Sequence, residues 1–171
     1  MKSARATLPF DIVLALHLTN ASGTLQSLAD ALAVVPSQVH ASLARLESAS
    51  LLKPGTRSVN ARALIDFLTG GIRYVFPAHR ERLASGVPTA YSAIPLSEDI
   101  DAVDVLVWQA PNHPAAVQGF SIRPLYARAP LLVDRAPTTY QLLTIVDALR
   151  LADPRVRLPA RTRLEASFGV R

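Results

Sequence analysis

The chain of 171 residues contains no cysteine. That excludes disulfides, thiolate nucleophiles and thiolate zinc sites, and it fits a cytoplasmic protein. No run of about 18 apolar residues occurs, so no membrane-spanning helix is expected. The start, MKSARATLPFDIVLALHLTN, is basic and then apolar, but Asp11 and His17 interrupt the apolar run and no small-x-small cleavage site follows. An amphipathic first helix is expected there rather than a signal peptide. Phosphate-binding Gly-rich loops, nucleophile elbows and His-Glu-x-x-His helices are also missing. No catalytic, metal-ligating or cofactor-binding residue is therefore expected, and the chain is not read as an enzyme. Asp99-Ile-Asp101 has the spacing of a metal-binding acid pair, but a solvated loop ahead of a strand explains Glu98, Asp99, Asp101 and Asp104 more simply. His79 and His113 lie in Pro-rich loops without a fixed partner.

What is present is enough apolar material for a core. Half of the residues are hydrophobic and the mean hydropathy is +0.24; the length allows one ordinary domain or two small ones. The net charge is +5, unevenly spread. Residues 1–75 hold seven basic and four acidic groups, residues 76–154 six and eight, and residues 155–171 five and one. Basic ends and an acidic middle are compatible with phosphate contact near the N-terminus. Proline divides the chain as well: three of 13 precede residue 77. Helices are expected before that point, and short strands, turns and one long helix after it. The expected organisation is an N-terminal domain over 1–70, an extended arm or linker over 71–90, and a mixed α/β module over 91–171, α+β in class.

Along the first part, Pro9 suits the first turn of a helix that runs to about Thr19. Asn20-Ala-Ser-Gly is a stop signal, and Thr24 caps a second helix, Leu25 to about Ala33. Ser37 is expected to cap a third helix. There Val39, Leu43 and Leu46 form one narrow apolar stripe. The opposite side, taken at 100° per residue, holds Ser37, Ala41, Ala44, Arg45 and Ser48, with Gln38 and His40 on its flanks. This outer face is small, polar and free of acid; Glu47 falls nearer the core side. Leu51-Leu-Lys53 and Arg57-Ser-Val59 around Pro54-Gly55-Thr56 read as a tight hairpin, and Asn60 caps a fourth helix that ends at Gly70-Gly71.

The order helix, helix-turn-helix, hairpin is that of a winged helix. On Leu25-Gln-Ser-Leu-Ala-Asp-Ala-Leu-Ala, Ser37-Gln-Val-His-Ala-Ser-Leu-Ala-Arg-Leu-Glu and Ser50-Leu-Leu-Lys, residues 10–69 resemble the MarR-like and related bacterial winged helix-turn-helix regulators. Ser50 stands where that family usually has glycine, which tolerates positive φ more easily. The resemblance implies sequence-specific binding of double-stranded DNA, with the third helix in the major groove and the second across the backbone. It further implies that Gln38 pairs with adenine, Arg45 with guanine or phosphate, and the Ala41 methyl with a thymine methyl. Ser37, His40 and Ser42 complete that surface, and Lys53 and Arg57 contact phosphates. Each residue also has a plainer role: Arg45 and Glu47 can solvate the helix, His40 can pack on its flank, and Gln38 can help cap the first turn.

In the second half, Ile72–Phe76, Val103–Trp108 and Val117–Ile122 alternate as strands, the last two as a hairpin through Asn112-His-Pro114. Residues 80–86 read as a loop, Pro130–Asp134 as a helical turn, Thr138–Leu151 as a helix, and Pro159–Phe168 as a final helix. A homodimer is expected, through the first helix and the Tyr140, Leu143, Val146 and Leu149 face. The competing expectation is an interaction module or antitoxin-like regulator, in which the helix-turn-helix is a scaffold and the C-terminal half binds a protein partner.

Overall fold

Proline and short polar side chains set most of the helix starts. Pro9 opens α1 (Pro9–Leu18), and Thr24 Oγ1 accepts from Ser27 N at 3.1 Å ahead of α2 (Leu25–Ala31). Pro36, not Ser37, begins α3 (Pro36–Ser48), because its missing N–H needs no partner in a first turn. Asn60 Oδ1 accepts from Ala63 N at 3.3 Å ahead of α4 (Ala61–Gly70). The computed structural model describes residues 6–169. Within them the chain is α+β, with eight α-helices and one three-stranded sheet.

Several expectations for the second half are corrected. Residues 71–90 are not an extended arm but contain α5 (Ile72–Val75) and β1 (Leu83–Pro88). The 72–76 segment is helical because its N–H groups find local carbonyls: Phe76 N reaches Ile72 O at 2.8 Å. β2 (Leu106–Gln109) and β3 (Val117–Ser121) do not form a hairpin with each other; they run parallel, and β1 is the antiparallel partner of both. The three strands close on one another as a miniature barrel. Ser85-Gly86 resembles a loop signal, yet Gly86 is the point of closest approach. A Cβ there would lie 2.0 Å from the Trp108 carbonyl oxygen. Gly86→Ala is therefore expected to cost about 1–3 kcal/mol by overpacking, measurable as a lowered denaturant midpoint; an unchanged midpoint would show that the strands can move apart freely.

A short α6 (Leu132–Arg135) leads into α7 (Pro137–Arg150), and α8 (Pro154–Ser167) starts five residues before Pro159, which lies inside it. Residues 142–150 of α7 are all buried, as are residues 10–17 of α1. The apolar faces of α1 and α7, expected to support a dimer, are thus internal: Leu143, Val146 and Leu149 are core residues. Both helices belong to a single hydrophobic cluster that runs from Phe10 to Leu164 and crosses the expected boundary at residue 70. Phe10 meets Tyr126 with ring centroids 5.6 Å apart. His17 Nδ1 and Thr139 Oγ1 are 2.8 Å apart, and burial lowers the His17 pKa, favouring the neutral ring. No helix among the described residues is long and apolar enough to cross a membrane.

Candidate nucleic-acid interface

The surface that α3 presents is set by what its inner face binds. Val39 and Leu46 are fully buried, as expected, but so is Ser42. The reason is Asp11, an acid with no exposed surface on α1. Ser42 Oγ donates to Asp11 Oδ1 at 2.6 Å, and Arg45 makes a two-point contact with the same carboxylate, Nε to Oδ2 at 2.8 Å and Nη2 to Oδ1 at 2.6 Å. Leu8 N donates to Oδ2 at 2.7 Å. All of the carboxylate's neighbours are donors, which is how a buried charge is held. The hydrogen bonds that Arg45 donates to Asp11 raise its pKa further. Two expected DNA contacts are therefore corrected: Ser42 and Arg45 lock α3 to α1 and do not face outward. An angular rule applied to one helix could not show this, since the partner comes from another helix.

The outer face that remains consists of Ser37, Gln38, His40, Ala44 and Ser48, all exposed, and Ala41, half-buried. Ser37, Gln38 and His40 make no side-chain hydrogen bond among the described residues. The expected freedom from acid is also corrected: Glu47 is exposed. It is occupied, because its Oε1 accepts from Gly55 N at 2.8 Å and ties the hairpin to α3.

The hairpin itself is minimal. One antiparallel bridge joins Leu52 to Val59, and Lys53 N reaches Ser58 O at 2.9 Å. Gly55 takes φ +68° at the tip, and Ser50 takes φ +59° where α3 turns into the hairpin. Serine thus accepts the left-handed conformation for which glycine is usual. Between α3 and the hairpin lies an open groove of roughly 350 Å³, lined by His40, Ala44, Glu47, Thr56 and Arg57 among others. Lys53 is exposed, without a side-chain partner among the described residues. Arg57 is exposed and donates from Nη1 to Gly23 O at 2.6 Å.

The C-terminal half braces the helix pair from the other side, through residues that sequence patterns did not single out. Arg128 Nη1 donates to Ala33 O at 2.6 Å and Arg135 Nη1 to Asp30 O at 2.9 Å, at the end of α2 and in the turn before α3. Ala33 holds φ +55° there.

Several of the remaining titratable residues are paired with one another. Asp99 pairs with Arg163, and Arg163 in turn hydrogen-bonds that carboxylate and lowers its pKa. Asp104 pairs with Arg80 and accepts from the Tyr91 hydroxyl at 2.9 Å. His113 Nε2 lies 3.5 Å from Asp134, beyond a good hydrogen bond. A cleft of roughly 290 Å³ is lined by the Arg80–Asp104 and Arg155–Asp153 pairs, Tyr91 and Asp101. No group of three or more metal-ligating side chains occurs among the described residues.

No protein-family model, curated protein or solved structure matches the chain.

Proposed function

We propose that the protein binds double-stranded DNA sequence-specifically, as a transcriptional regulator built on an N-terminal winged helix-turn-helix. The observation that carries this reading is the outer face of α3. Its first turns present Ser37, Gln38 and His40, hydrogen-bonding groups with no protein partner among the described residues, beside the small Ala41. The un-neutralised cations Lys53 and Arg57 stand on the adjoining hairpin. An exposed helix without a ligand would more commonly carry charges that pair along its own surface. Hydrogen-bond donors and acceptors next to lone cations suit base edges beside phosphates. Gln38 is assigned to the adenine edge, His40 and Ser37 to bases or phosphates, and Lys53 and Arg57 to phosphates.

The protein is proposed to act as a homodimer on paired half-sites, about 34 Å apart, since one helix reads few base pairs. The dimer surface lies outside α3 and away from the internal faces of α1 and α7.

Mobility shifts on the duplex upstream of the gene test the function. Binding is expected to weaken steeply with salt. Gln38→Ala is expected to cost about 1–3 kcal/mol of discrimination between specific and scrambled duplex, whereas Lys53→Ala weakens both alike. Absence of binding to every upstream fragment, with sedimentation showing a folded protein, would direct attention to the protein-partner alternative.

A further inference from the structure

Several arginines in the C-terminal half face carboxylates. Arg150 pairs with Asp147, Arg155 with Asp153, Arg161 with Glu165 and Arg163 with Asp99. Arg57, Arg128, Arg135 and Arg157 differ: all four are exposed, and each donates to a backbone carbonyl, with no carboxylate partner among the described residues; Arg157 reaches Thr69 O, whereas the other three reach carbonyls around α2. A carbonyl has no net charge, so each of these guanidiniums keeps its full positive charge. Each also keeps most of its five N–H groups for another acceptor.

The three carbonyls are not scattered. Gly23 immediately precedes the cap of α2, Asp30 lies in its last turn, and Ala33 follows its end. Three unneutralised arginines from three separate segments therefore bracket one short helix, across a span on the order of 15 Å at 1.5 Å per residue. The two at the C-terminal end are anchored on carbonyls three residues apart, Asp30 O and Ala33 O. The Asp30 carboxylate, the one acid of α2, accepts from Gln26 Nε2 at 2.8 Å, and neither arginine has a carboxylate partner among the described residues. Arg128 and Arg135 each use one guanidinium nitrogen, Nη1, for these carbonyls at the end of α2.

We infer that Arg128 and Arg135 are DNA-backbone contacts supplied by the C-terminal half, which with Arg57 clamp phosphodiesters at both ends of α2. This inference rests on the proposed DNA-binding function, in which α2 crosses the backbone. Its ligand is the phosphodiester itself, which Arg recognises by two-point hydrogen bonding, and its contribution is independent of base sequence. The helix-turn-helix is then not a separable reader, because half of its phosphate grip comes from residues more than 90 positions away.

The test uses the full chain and fluorescence anisotropy over a salt series, with the upstream duplex and a scrambled one. Arg128→Gln/Arg135→Gln keeps an N–H donor at each site and removes both charges; Arg128→Lys/Arg135→Lys keeps the charges. Each phosphate contact adds about 0.9 to the slope of log affinity against log salt. The glutamine variant is expected to lose about 1.8 of slope per protomer, equally on both duplexes, and the lysine variant to retain it. A fourfold rise in salt then costs wild type roughly tenfold more affinity than the glutamine variant. A wild-type slope in the glutamine variant overturns the clamp while leaving DNA binding intact. Failure of wild type to bind either duplex overturns the DNA-binding function, and the clamp with it. Should the glutamine variant not fold, the wild-type slope decides. A value near −3.6 per protomer corresponds to Lys53, Arg57, Arg128 and Arg135 together, and one near −1.8 to the hairpin cations alone.

Discussion

Replacing Asp11 with alanine is expected to destabilise the protein by about 3–5 kcal/mol, because removing one partner of a buried ion pair leaves the other charge uncompensated. The Asp11 side chain has no exposed surface and that of Arg45 is 12% exposed. Alanine would strand the guanidinium together with the Ser42 hydroxyl and the Leu8 N–H, each of which now donates to this carboxylate. Typical domains are stable by only about 5–15 kcal/mol, so the variant is expected to lose a large fraction of its stability. Arg45→Ala should also be costly, since it leaves a buried carboxylate with one hydroxyl and one amide. The double variant should cost clearly less than the sum of the two, because each single change has already broken the same pair. Urea midpoints for the four proteins measure this. If Arg45→Ala left the midpoint unchanged and only relaxed DNA discrimination, Arg45 would be a base contact after all and the α1–α3 lock would not hold in solution.

That lock also shows where sequence patterns stop being informative. The starts of α1, α2 and α4 were legible in Pro9, Thr24 and Asn60, because caps act within three or four residues and need no tertiary partner. The buried stripe Val39 and Leu46 was legible for the same local reason. Arg45 was not, since its direction depends on an acid 34 positions away. The available signal was Asp11 itself, an acid set between Phe10 and Ile12-Val13 in a helix otherwise too apolar to expose one. Glu47 misled in the opposite sense: its angle put it near the core, but the hairpin turn at Gly55 drew it out as an acceptor. β1 was missed because Ser85-Gly86 and Pro88 are turn residues in most settings. Here glycine is required by the Trp108 carbonyl, and pairing with two different strands is a long-range fact with no local periodicity. The α7 face was visible as apolar, but nothing local distinguishes a core helix from one that buries its face in a second protomer.

A second buried acid makes the same point from within one helix. Asp147 lies in Thr144-Ile-Val-Asp-Ala-Leu-Arg150, 1% exposed. Its Oδ2 accepts from Thr89 Oγ1 at 2.9 Å and from Trp108 Nε1 at 2.6 Å, and its Oδ1 from Arg150 Nη1 at 2.5 Å. One carboxylate thus joins α7 to the end of β1 and to β2. Arg150 carries the network onward through Nε to Phe76 O at 2.8 Å and through its terminal nitrogens to Arg123 O at 3.2 Å. Asp147→Ala is expected to cost about 3–5 kcal/mol, the buried guanidinium being the largest part, with the orphaned indole N–H and threonine hydroxyl adding to it. Asp147→Asn should cost less, since an amide oxygen can still accept from Trp108 or Thr89 although the charge opposite Arg150 is gone. Trp108 is the only tryptophan in the chain, so its emission follows the network directly. Unfolding monitored by that emission and by far-ultraviolet circular dichroism should give coincident transitions in wild type, because α1, α7 and the sheet share one core. In Asp147→Ala both transitions should move to lower denaturant together. If the tryptophan signal shifted alone while the helical signal kept its wild-type midpoint, the sheet would be an independent unit and Asp147 would secure only its docking against α7.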